Sequence, residues 1–219
     1  MAVHIFDIDH TLIKQSTARC FIRQALKRKI ISLRQLFSFP RKWLLYRYAL
    51  IDPQFIEKEI RVIEGLSENL LREVSGEAFH HCGRALLFRE GEALIRTLKE
   101  KGERVIFATS SFELLIQPLL AHFGVFEAVA TRLEFLNGQA TGRTLGSAAF
   151  GENKRRAVEA WLEENRLNPE EAIFYSDSYN DLPLLEACGK AVAVNPDSRL
   201  RREARNRGWT ILRFSETLG

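Results

Sequence analysis

The sequence has no apolar run approaching the roughly 18–20 residues that a bilayer-spanning helix needs. Its opening, MAVHIFDIDH, reaches an aspartate at position 7, which interrupts any apolar region of a secretory leader. Cysteine is scarce: Cys20, Cys82 and Cys188 are an odd number, far apart, with no CxxC pair. That usage argues against a disulfide framework and against a zinc site, and a reducing, cytoplasmic setting is the expectation. There is no internal repeat and no low-complexity tract. What is present is a chain of 219 residues, 46% apolar and 27% charged, the balance of a globular protein with one domain plus an insertion.

Charge is modest in sum and uneven in place. The net charge is +4, yet ten Lys/Arg and no acid fall between His10 and Ile51, leaving 22 basic against 28 acidic residues elsewhere, a net −6. An anionic partner for this one region is one reading, and a solvated basic helix face is the other. The basic, aromatic stretch 30–51 suits the interior of a helical layer with its arginines reaching outward. It also suits a peripheral contact with the inner face of an anionic membrane. It lacks the phosphate-tracking or base-stacking pattern of nucleic-acid modules, so no nucleic-acid partner is expected.

The apolar spacing predicts a strand over 3–7, then a helical block over 17–82 broken near 29–32, 52–53 and 65–67. Helices are then predicted over 91–101, 112–123, 152–165, 181–188 and 198–207, with strands over 103–109, 172–176, 190–194 and 209–212 between them. Residues 127–143 read as a hairpin turning at Asn137-Gly138. Strands alternating with helices imply an α/β fold, a doubly wound, Rossmann-like parallel sheet covered on both faces, with ligands at the carboxyl ends of the strands. The helical block carries no strand pattern. The expected division is therefore a core of 1–16 and 87–219 with a helical cap, 17–86, inserted after the first strand.

Four polar clusters follow, or lie near, the ends of predicted strands. Asp7 and Asp9 are two apart, so extended backbone would turn both carboxylates the same way. One carboxylate can attack phosphorus while the other protonates the leaving oxygen and later activates water. Such a pair needs a cation, and Mg²⁺ suits oxygen donors. Taken alone, DxD also serves as a turn or helix cap. Thr109, Ser110 and Ser111 offer hydroxyls and backbone N–H groups to phosphoryl oxygens, or simply cap the helix that follows. Lys154 would neutralise charge on a transferred phosphoryl group, or stand as a surface lysine beside Arg155 and Arg156. In Ser176-Asp177-Ser178-Tyr179-Asn180-Asp181, Asp177 would complete a metal site, and Asp181 would hold Lys154 or cap its own helix.

The order of these clusters carries more than any one of them. DIDHT, then a hydroxyl residue after a strand, then lysine, then DxxxD resembles the four-motif signature of the haloacid-dehalogenase superfamily. The helical insertion, SDSYNDLPLLEACG and AVAVNPD resemble its phosphoserine-phosphatase-like branch. The motif resemblance covers about 1–16 and 87–219, and the cap matches in position and helicity. It implies a magnesium-dependent phosphatase with Asp7 as nucleophile and Asp9 as acid/base, and an aspartyl-phosphate intermediate on Asp7. Mg²⁺ would be held by Asp7, Asp177 and the Asp9 carbonyl. Thr109, Ser110, Lys154 and Asn180 would bind the phosphate, with Asp181 supporting the site. Two departures stand out: Ser110-Ser111 where the branch carries Gly-Gly, and Ser16 where phosphoserine phosphatases place a glutamate for the substrate's ammonium. A small phosphorylated substrate other than phosphoserine is expected. The alternatives are a phosphatidylglycerophosphate-type lipid phosphatase at the membrane surface, a phosphotransferase, or a non-catalytic binding protein of the same fold.

Overall fold

The first strand, β1 (Val3–Phe6), is buried at all four positions, as only a central strand of a two-faced sheet can be. Val3 and Ile5 pack on one face with Ile106 and Phe174, while Phe6 joins Phe107 and Ile116 on the other. In the computed structural model, which describes residues 2–32 and 60–219, β1 lies between β2 (Arg104–Phe112) and β6 (Ala172–Ser176). The six-stranded sheet runs β3-β2-β1-β6-β7-β8 with every pair parallel, completed by β3 (Ala128–Thr131), β7 (Lys190–Val194) and β8 (Thr210–Leu212). This is the doubly wound α/β sheet expected from the alternation of elements.

Helices α3 (Arg89–Glu100) and α4 (Glu113–Phe123) feed the cluster around Phe6. The opposite cluster takes Val158 and Leu162 of α5 (Glu152–Glu164), Leu184 and Leu185 of α6 (Leu182–Ala187), and Leu200 of α7 (Ser198–Asn206). Gly124, at φ +57, closes α4 in a left-handed conformation that glycine adopts without steric penalty.

The remaining described helices form a third cluster. Ser16 caps α1 (Thr17–Lys27) by accepting from the Arg19 N–H, and Ser67 caps α2 (Glu68–Ala78) by accepting from the Leu70 N–H. Their apolar faces, with Ile60 and Ile63, meet Leu114 of α4 and Ala140 of β5 (Gln139–Thr144). The breaks expected near 29–32 and 65–67 fall where Lys29 and Gly65 take positive φ. The break at 52–53 and most of the basic stretch, 33–51, lie outside the described residues. No described helix is long and apolar enough to cross a membrane.

Two expectations are corrected. Residues 127–143 are not one hairpin: β3 joins the parallel sheet beside β2, and only β4 (Leu133–Leu136) and β5 form the hairpin that turns at Asn137-Gly138. Strand β3 gains backbone partners and burial along the sheet edge that local turn chemistry does not encode. The cysteines are not all free either. Cys20 of α1 and Cys82, in the single wide turn Phe79–Gly83 after α2, are joined in a disulfide with Cα atoms 5.8 Å apart, and only Cys188 remains a buried thiol. Packing of α1 against the end of α2 creates a proximity that spacing in sequence does not show.

Candidate active site

Strands β1, β2 and β6 end side by side, and each delivers polar residues to one place. Asp7 follows β1 directly, its N–H continuing the ladder to the Tyr175 carbonyl at 2.9 Å. Lys154 is the third residue of α5, whose start is set by Gly151 at φ +53. Only 2% exposed, Lys154 directs Nζ to Asp7 Oδ1 at 3.0 Å and to Asp181 Oδ2 at 2.9 Å. The Ser176 hydroxyl donates to the same Asp181 oxygen at 2.6 Å. The chain Asp7–Lys154–Asp181–Ser176 is thus buried and paired throughout, and Lys154 is not the surface lysine that its neighbours suggested.

Thr11, the last residue of DIDHT, is fully buried. Its hydroxyl oxygen accepts from the Asp177 N–H at 3.0 Å and stands 3.3 Å from Asp177 Oδ1 and 3.5 Å from Asp7 Oδ2. One proton can serve only one carboxylate at a time, yet both reach the same atom. Thr11 therefore brings together two aspartates separated by most of the chain.

Asp9 faces different partners. Its Oδ1 accepts from the Thr17 N–H at 2.8 Å, and its Oδ2 accepts from the Ser111 hydroxyl at 2.8 Å, with Thr17 Oγ1 at 3.4 Å. Thr17 and Ser111 also share a hydrogen bond of 2.8 Å. Asp9 thereby takes up a first-turn N–H of α1, linking the strand end to the first inserted helix. Thr17 had been assigned no part, and Ser111 only that of binding phosphoryl oxygens or capping the helix that follows. Their signal was only that a hydroxyl sits at each helix or strand boundary. Thr109 is fully buried, its hydroxyl accepting from the Ser111 N–H at 3.2 Å, so Ser110 and Ser111, rather than Thr109, line the cavity. Asn180 and Asp177 line it as well.

Burial dominates the electrostatics. It pushes Asp7 up to about 7, reinforced by the charges of Asp181 and Asp9 and opposed by Lys154. Burial, then the charges of Asp7, Asp181 and Asp197, holds Asp177 well above the usual carboxylate range. At Lys154, burial disfavours the ammonium, but the carboxylates of Asp181 and Asp7 outweigh it and raise the pKa. Asp7, Asp9, Asp177 and Asp181 meet one ammonium, so the ionised cluster is short of positive charge. Among the described residues no three His, Cys, Asp or Glu side chains converge as a ready-made metal cage. Mg²⁺ does not require one: one or two carboxylates suffice, with waters and substrate phosphate completing the shell. The donor set, all oxygen and centred on Asp7 and Asp177, fits that cation.

Above these groups opens a cavity of about 730 Å³, a size that accommodates a small-molecule ligand. Its floor is polar, from Asp7, Asp9, Ser110, Lys154, Asp177 and Asn180. Much of the rest is apolar and comes from α1, residues 60–63, α2, α4 and β4. Ser16 stands at the boundary, occupied in capping α1.

Comparison with known proteins gives the same picture. A family model described as haloacid dehalogenase-like hydrolase matches residues 5–186. A phosphoserine phosphatase of Mycobacterium tuberculosis is 31% identical over 225 residues, covering 97% of this chain and 71% of that protein. A histidinol-phosphatase of Neisseria meningitidis is 28% identical, covering 96% and 97%. Among solved structures, a protein of unknown function from Bordetella pertussis superposes with a TM-score of 0.81 at 26% identity, covering 96% of this chain and 97% of that one.

Proposed function

The chain belongs to the haloacid dehalogenase-like hydrolases and acts on phosphate monoesters, and we propose that it does so by a magnesium-dependent, two-step transfer through Asp7. Asp7 is the nucleophile: a carboxylate oxygen attacks phosphorus, the bond from phosphorus to the ester oxygen breaks, and an aspartyl-phosphate forms. Asp9 gives its proton to the departing alkoxide. It then takes a proton from water, which attacks phosphorus and releases inorganic phosphate and a regenerated Asp7. Bound Mg²⁺, held by the Asp7 and Asp177 carboxylates and the Asp9 carbonyl, would polarise the phosphoryl oxygens and offset their charge.

Lys154 keeps Asp7 oriented and carries positive charge toward the phosphoryl group. Ser110, Asn180 and the Thr109 segment bind the phosphoryl oxygens, Thr109 by shaping the turn behind Ser111. Asp181 anchors Lys154 from behind. We assign 1–16 and 87–219 to the catalytic core and 17–86 to a cap over it. The observation that carries this reading is the buried Asp7–Lys154–Asp181 chain, which unites three of the four polar clusters at the carboxyl ends of the central strands. The test is phosphate release with and without Mg²⁺, together with acid trapping of a phosphorylated enzyme. Asp7→Asn is expected to lose both by more than about 10⁴-fold, as removal of a member of a catalytic unit does. A phosphoenzyme that persists in Asp7→Asn would remove Asp7 from this role.

A further inference from the structure

We propose that the ester hydrolysed here is that of a predominantly apolar alcohol that bears no ammonium. The proposal rests on the phosphatase reading and concerns only what leaves with the ester oxygen. The two ends of the cavity divide the work by chemistry. The polar floor meets phosphate, cation and water, groups that every phosphate monoester shares. The far end is walled by Phe21, Ile22, Ile63, Leu71, Leu115 and Leu133, contributed by both the inserted helices and the core.

Charge points the same way. Every carboxylate among the described lining residues lies on the floor: Asp7, Asp9, Asp177, Asp181 and Asp197. Asp9 is taken by Thr17 and Ser111, Asp181 by Lys154 and Ser176, and Asp197 by the N–H groups of Tyr179, Arg199 and Leu200. An ammonium on the leaving group would lie against hydrocarbon, with no counter-charge among the described residues of that wall, at a heavy desolvation cost. An alkyl or aryl group would instead replace water on that wall. The volume agrees, since about 730 Å³ is far more than a phosphoryl group needs. The relatives named for amino-bearing phosphates therefore predict this chain's chemistry better than its substrate.

The test is a series of monomeric alkyl phosphates from ethyl to octyl, assayed with Mg²⁺ beside phosphoserine, with kcat/KM as readout. We expect a rise of about two- to fourfold per added methylene, as burial of one CH₂ implies, until the wall is covered. The longer esters should exceed phosphoserine by about a hundredfold or more. A flat series, or phosphoserine as the best substrate, would overturn the proposal and leave the phosphatase reading intact. Hydrolysis of none of the esters would overturn both. Ile22→Glu places a carboxylate on the wall, and should collapse the octyl-to-ethyl ratio while raising phosphoserine relative to ethyl phosphate. An unmoved ratio in a variant that melts like the wild type would show that this wall does not meet the leaving group. Phosphatidylcholine vesicles doped with phosphatidic acid separate the two sources of such an ester. Turnover there as well points to a membrane source, and turnover of the monomers alone to a soluble one.

Discussion

On and just beneath the floor of the cavity, Asp7, Thr11, Lys154, Ser176 and Asp181 each have a polar partner within 3.5 Å, whereas the layer above buries mainly Phe21, Leu71, Val74 and Leu114, with one covalent tie and with Gln24 and Arg28 pairing with Glu77 nearer its surface. The floor is a buried polar set, short of positive charge, in which each of these members is hydrogen-bonded to another. Such sets tolerate no deletion, because the partner left behind stays buried. The apolar layer obeys a looser rule, since hydrocarbon packing accepts substitutions that conserve volume. On the proposal that the apolar layer meets the leaving group, such a difference lets the alcohol change while the reaction is kept.

Lys154→Ala attacks the floor where compensation is densest and should give the largest loss of stability. About 3–5 kcal/mol is expected for uncovering buried partner carboxylates, read from denaturant unfolding. The loss should depend on pH. Asp7 already has a folded pKa raised to about 7, above the roughly 3.9 of an unfolded aspartate. Its ionisation in the folded state therefore costs stability as pH rises between those values, and Lys154 offsets that cost. The deficit of the variant should be greatest above pH 7 and shrink toward pH 4. A deficit independent of pH would mean that lost packing, not charge, is responsible.

Reduction of Cys20–Cys82 tests the upper layer. The bond closes a loop with a sequence separation of 62, and its loss should lower stability by about 2–4 kcal/mol without stopping turnover. Thiol titration of denatured, unreduced protein should find Cys188 alone. In the native state even that thiol should be silent, because burial pushes it up to about 12. Three titrating thiols would show that the upper layer stands without a covalent tie.

Ser111→Ala probes the seam between the two regions. It removes one hydrogen bond to a charged group, worth about 1.5–3 kcal/mol, from the carboxylate of Asp9. If Asp9 needs that orientation, kcat should fall about 10- to 100-fold with KM little changed. An unaltered kcat would leave Thr17 as the residue that holds Asp9.

Much of the floor was legible because Asp7 and Asp177 each directly follow a short apolar strand. Phe6-Asp7 and Ser176-Asp177 announce strand ends by burial pattern alone, and β1, β6 and β7 appear where that pattern places them. The supporting hydroxyls were not legible. Thr11 acts on Asp177 across 166 positions, and Ser111 on Asp9 across 102, so nothing local marks them. The same holds for Cys20 and Cys82, which meet only when α1 packs on α2. Strand β3 was misread for the opposite reason: a strong local turn at Asn137-Gly138 drew a neighbouring edge strand into its hairpin.

The position of β1 has a consequence for the order in which the molecule can assemble. Though near the start of the chain, it is bonded on one side by residues Arg104–Phe107 and on the other by Ala172–Tyr175. As the chain emerges during synthesis, the strand that presents Asp7 must wait for both neighbours, and Lys154 must be in place before that carboxylate is enclosed. Long-range parallel pairing of this kind is slow, and a nascent chain exposes such strands before their partners exist. The inserted helices, whose packing partners Leu114 and Ala140 precede residue 172, can form during that interval. A ribosome-bound fragment ending before residue 172 should thus hold folded helices beside an incomplete, inactive sheet.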